Sequence, residues 1–193
     1  MEDVLFWAAQ VVSVAAACCT IGSFQCRNND KLMLWQGVFG GALWMVHFAL
    51  LGAWAACFSD AVFVFRAFAV RRMYRRGTRD RGMLVTVTIL TVIAAVLGTI
   101  LSWDGAALMS WVPLWLGRAV GFAMVVSNIV STLAMWSRNG AAIRLSQMCV
   151  VSPVWLSNNI FTCSVLGAAT EIFCIVSVIV SLARYGLHHK GDG

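Results

Sequence analysis

From Leu32 to Ser59 the chain carries no Asp, Glu, Lys or Arg, and apolar sequence then continues to Val70 around one carboxylate, Asp60, and one cation, Arg66. As a single helix, Leu32–Val70 would reach ~58 Å, about twice the ~30 Å hydrocarbon core of a bilayer. The stretch must therefore turn back on itself, and Gly52 is the expected corner. Two membrane helices joined by a tight turn are the only fold that fits it.

The remainder of the chain is of the same kind. It is 61% hydrophobic and 11% charged over 193 residues, whereas a soluble domain is nearer ~45–50% apolar and ~25% charged. The apolar runs are continuous and do not alternate, which selects helices over a barrel. The spacing predicts seven spans: Val4–Gln25, Leu32–Leu51, Ala53–Val70, Met83–Leu101, Pro113–Trp136, Ala142–Phe161 and Thr162–Ala183. Arg71–Arg81 reads as the main hydrophilic linker. The N-terminus, Met1-Glu2-Asp3, lacks the positive region of a signal peptide, so the first span is expected to be retained.

Seven spans leave eight flanks, and the charges sort between them. Twelve of the fourteen basic residues fall on alternate flanks (Arg27/Lys31, the Arg71–Arg81 arginines, Arg138/Arg144, Arg184/Lys190), while the other flanks carry Glu2, Asp3 and Asp104. Positive charge is retained on the cytoplasmic side. This predicts an outer N-terminus and a cytoplasmic C-terminus. The net charge of +6 is thereby a topology signal and not a mark of nucleic-acid binding. The other two cations, Arg66 and Arg118, lie about one turn inside helices and are expected to snorkel to the interface, with a functional ion pair as the alternative.

The chain also repeats. Val4–Tyr74 laid over Trp115–Tyr185 without gaps pairs Arg27 with Arg138, Asn28 with Asn139, Gln36 with Gln147, Trp44 with Trp155 and Tyr74 with Tyr185. Asp60 pairs with Glu171 by charge, and His47 with Asn158 by polarity. The expected fold is an all-α membrane protein in a three-plus-one-plus-three plan. One three-helix repeat occupies 4–74. A connecting segment over 75–112 holds a basic cytoplasmic loop, a linker helix at 83–101 and an outer loop. The second repeat occupies 113–185, and 186–193 form a cytoplasmic tail. An odd linker helix makes the two units parallel.

That plan resembles the SWEET and SemiSWEET sugar transporters and the PnuC vitamin transporters. More closely, Val46-His47-Phe48-Ala49-Leu50-Leu51-Gly52, with Trp155, Asn158, Asn159 and Glu171, resembles the YgjV family of bacterial inner membrane proteins. The resemblance implies a multi-pass protein of the bacterial inner membrane. The proline–glutamine pair of SWEET-type units is absent, with Phe24-Gln25 and Met135-Trp136 at the matching positions, and no counterpart of the sugar-pocket asparagines stands on the third helices. Sugar specificity is therefore not implied.

Seven residues are candidates for solute binding. Asp60 and Glu171 are carboxylates within spans, where such groups face a bundle interior or a wet cavity. Trp44 and Trp155 are the two tryptophans that fall mid-span, and aromatic walls suit sugars and flat rings, with core packing as the alternative. His47 shares a helix face with Trp44, and Asn158 and Asn159 share one with Trp155. Fixed interhelical hydrogen bonds are the alternative for each polar member. The seven cysteines include no Cys-x-x-Cys pair and read as small buried hydrophobes. One histidine falls short of a metal site, and no cofactor or catalytic motif stands out, so no enzyme is expected. The expected partners are the lipid bilayer and a small polar solute, with a homo-oligomer also compatible. The expected function is transport of that solute by alternating access of the two units. The alternative is a non-transporting assembly partner or sensor that docks through the basic loop.

Overall fold

A computed structural model describes residues 2–26, 28–77, 80–101 and 109–185. They form seven helices and no strand. The first is α1, Glu2–Ser23. Asn29–Leu32, Met33–Gly40 and Gly41–Leu50 run on as one helix, α2, since the backbone stays right-handed helical at both junctions. Then come α3, Trp54–Arg76, α4, Arg81–Leu101, and α5, Leu114–Trp136. Gly140–Ser146, Gln147–Val151 and Ser152–Phe161 make up α6, and Val165–Tyr185 is α7. The expected outer loop around Asp104, the tail 186–193, and Arg27 and Arg79 lie outside the described residues.

Five helices contain a stretch long and apolar enough to cross a membrane: Val4–Ser23, Asp30–Leu50, Arg81–Gly98, Leu114–Trp136 and Val165–Arg184. α3 and α6 fall short of that measure, and they carry the buried cations Arg66 and Arg144. Large apolar side chains lie open to the surroundings along the helices, as on Val85, Ile89, Val96 and Ile100 of α4. Lipid is the solvent that such a surface requires.

The turn expected at Gly52 is present, with φ +70. Only a residue without a Cβ adopts that left-handed conformation cheaply. The linker Arg71–Arg81 is shorter than the sequence suggests, because α3 runs on through its arginines to Arg76 and stops at Gly77, φ +67. Arginine is a good helix former, and cations suit a helix C-terminus. Asp30 at the start of α2 holds this turn, accepting from Arg71 Nε at 2.7 Å and from Arg75 at 3.4 Å. Asp80 Oδ1 accepts from the Met83 amide and caps α4, as Asn139 Oδ1 caps α6 through the Ala141 amide.

α1 packs on α2 and α7, α2 on α3, α3 on α5, α5 on α6, and α6 on α7, closing a ring of six helices. α4 lies outside it against α3 and α5. A Cβ on Gly98 of α4 would stand 2.6 Å from the Ala55 Cα of α3, so glycine permits this close approach. Two apolar clusters fill the ring at different levels. At the arginine-bearing end, Phe24, Leu32, Met73, Tyr74 and Met135 are buried together, with the Tyr74 hydroxyl donating to the Met135 carbonyl at 2.7 Å. Towards the Gly52 end, Phe48, Ala56, Met124, Val151 and Trp155 form the second cluster.

Candidate functional site

Between these clusters lies a cavity of about 50 Å³. That is room for a few waters. Five of the seven sequence candidates line it: Trp44, Asp60, Trp155, Asn159 and Glu171. Phe48 bridges the tryptophans, 6.0 Å from Trp44 and 5.7 Å from Trp155 between ring centroids. This aromatic wall lines the cavity on the Gly52 side.

The glutamines that pair across the repeat also line the cavity. Gln36 Nε2 donates to Gln147 Oε1 at 3.3 Å, and Gln147 Nε2 donates to Ser152 Oγ at 3.1 Å. Ser152 in turn is within hydrogen-bond reach of the Glu171 carboxylate. Both glutamines lie in the π-helical parts of their helices, Met33–Gly40 and Gln147–Val151. π turns widen a helix and are frequent at functional sites. In α6 the widening directly precedes Pro153, whose ring and missing N–H prevent a regular α turn there.

Arg66 corrects an expectation. It does not snorkel: it is 2% exposed and lines the cavity. Its Nη1 donates to the Asn128 carbonyl at 2.7 Å and to Thr132 Oγ1 at 2.9 Å, and its guanidinium lies 4.7 Å from the Phe63 ring centroid. An inward route to the interface lies beyond Val70, Met73 and Tyr74 of the lower cluster, while carbonyl and hydroxyl acceptors on α5 are at hand. The Asp60 carboxylate feels the like charge of Glu171 and the opposite charge of Arg66. Thr20, which accepts from Trp44 Nε1 at 3.0 Å, and Ser131 complete the polar lining. Both are hydroxyl residues within apolar spans, and in the sequence only their separation of 111 positions, the same as that of Gln36 and Gln147, marks them.

His47 and Asn158 are not in the lining. His47 is fully buried, with Nδ1 2.8 Å from the Ala9 carbonyl and Nε2 2.7 Å from Ser164 Oγ. A carbonyl only accepts, so Nδ1 carries the proton and Nε2 accepts from the serine. Ser164 is also fully buried, so this serine–histidine pair ties α1, α2 and the α6–α7 turn together and meets no solute. Asn158, 9% exposed, accepts through its main-chain carbonyl from Thr162 at 3.0 Å. Among the described residues no three His, Cys, Asp or Glu side chains are grouped to hold a metal.

The family model described as "Imp-YgjV: Bacterial inner membrane protein" matches residues 7–189. The chain belongs to the Imp-YgjV family of bacterial inner membrane proteins. No curated protein and no solved structure matches it. The family places the chain in a membrane, where Asp60, Glu171, Arg66 and the aromatic wall form a polar centre within an apolar bundle.

Proposed function

We propose that this Imp-YgjV protein transports a small polar solute, of sugar-like or vitamin-like size, by alternating access of two parallel three-helix units. One observation carries the reading: the cavity is lined by both members of Thr20/Ser131, Gln36/Gln147, Trp44/Trp155, Phe48/Asn159 and Asp60/Glu171, all 111 positions apart, as the Gln36–Gln147 hydrogen bond is. A cavity on the axis between two repeats is where parallel-repeat transporters bind their cargo. The helix bounds support the repeat, since α2, Asn29–Leu50, shifted by 111 falls on Gly140–Phe161. The units meet through α1 with α7 and through α3 with α5, with α4 as the linker outside.

The two apolar clusters serve as gates, and rocking of the units opens one while closing the other. At about 50 Å³ the cavity is too small for a sugar, so the present arrangement is read as a contracted, unloaded state of the site. All seven helices cross, with the N-terminus outside and the arginine-bearing end in the cytoplasm. The docking alternative is weaker because Arg71 and Arg75 are engaged by Asp30 within the fold. No catalytic role and no cofactor are part of the reading.

A thermal-shift screen of purified protein against sugars, vitamins and nucleosides selects the solute, and uptake into proteoliposomes tests transport. Asp60→Asn combined with Glu171→Gln should abolish uptake while the protein still inserts. Uptake at the wild-type rate in that variant would remove the proposed role of the carboxylates.

A further inference from the structure

The cavity lining is unbalanced in hydrogen bonding. Four of its residues keep a buried oxygen without a partner: Gln36 Oε1, Asp60 Oδ2, Asn159 Oδ1 and Glu171 Oε2. Gln36, Asp60 and Asn159 are each at most 5% exposed. Arg66 Nε is the one unpartnered donor among the lining residues, on a guanidinium already held by Asn128 and Thr132. A buried polar atom without a partner costs about 1–3 kcal/mol, and more when charged. Four such oxygens around one small space call for a ligand that accepts several lone pairs at once.

We infer that the space lined by Asp60, Glu171, Gln36 and Asn159 is a binding site for a desolvated alkali cation, with sodium as the probe, which serves as the coupling ion of transport. Charge selects a monovalent ion. With both carboxylates ionised and the guanidinium charged, the lining holds one excess negative charge, which a monovalent cation neutralises and a divalent one overshoots. Ligand type selects a hard ion, because the free atoms are carboxylate and amide oxygens and no sulfur or imidazole is among them. The number of acceptors selects a metal ion over a proton. A proton on one carboxylate gives a single donor and leaves other oxygens unpaired, whereas a metal ion is coordinated by several oxygens at once and the cavity has room for a completing water. The coupling role rests on the transport reading, but binding does not.

Equilibrium binding of radioactive sodium to the purified full chain tests the site, with choline chloride holding the ionic strength and the pH fixed. The expected result is saturable binding of one ion per chain, competed by unlabelled sodium but not by choline, and sodium-dependent protection against thermal unfolding. Asp60→Asn with Glu171→Gln should weaken binding by at least ~10-fold. Asn159→Leu should weaken it with both carboxylates in place, so the result does not hang on one variant's folding. Absence of saturable binding to the wild type would overturn the inference, as would full affinity in both variants or protection that follows pH alone. Sodium binding without uptake of any solute would defeat the transport reading and leave the site. Uptake indifferent to sodium would defeat the coupling role and leave transport.

Discussion

His47 shows how far a single residue is defined by its neighbours. Its spacing from Trp44 places it one turn along the same helix, and the rings do touch, edge to face with centroids 5.3 Å apart. Yet its two nitrogens are both consumed by Ala9 and Ser164, and none is left for a solute. His47→Phe keeps the ring volume and removes both hydrogen bonds. The Ser164 hydroxyl is then buried without a partner, and the Ala9 carbonyl keeps only its helical bond, which should lower stability by ~1–3 kcal/mol. Unfolding in detergent measures this, and an unchanged midpoint would show that the two bonds contribute nothing. Arg66 is the opposite case: its sequence position suggested an interfacial cation, and carbonyl and hydroxyl acceptors on α5 made burial the better arrangement.

At the level of elements, the two hairpins α2–α3 and α6–α7 are built alike. Each turns through one residue in the left-handed region, Gly52 at φ +70 and Cys163 at φ +55. For glycine that conformation is free of strain, whereas for cysteine the Cβ crowds the following carbonyl. Cys163→Gly should therefore raise stability by ~0.5–1 kcal/mol, after the greater freedom of glycine in the unfolded chain is set against the relieved strain. A thermal melt of the variant gives the sign, and a lower midpoint would mean that the cysteine side chain contributes more by packing than it costs in strain. The π-helical parts of α2 and α6 matter at the same scale. They orient Gln36 and Gln147 towards each other, and no residue pattern announced them beyond the glycines of α2 and Pro153 of α6.

For the whole molecule, the charge pattern makes a prediction of its own. A cysteine replacing the exposed Arg76 should escape an impermeant thiol reagent in intact cells, above the background of the native cysteines, and react once the membrane is broken. Reaction from outside would reverse the proposed orientation. The sequence by itself determined the all-helical membrane fold, the number of helices, the corner at Gly52 and the polar residues worth attention. These follow from local rules: helix length against bilayer thickness, the scarcity of charge, and the recurrence of rare residues at one interval. Tertiary structure alone decided which candidates share a space. Asp60, Glu171, Trp44, Trp155 and Asn159 meet at the cavity, Arg66 joins them from an unexpected direction, and His47 and Asn158 are turned aside. That outcome depends on helix rotation and on distant partners such as Asn128 and Ser164, contacts that no interval along the chain encodes.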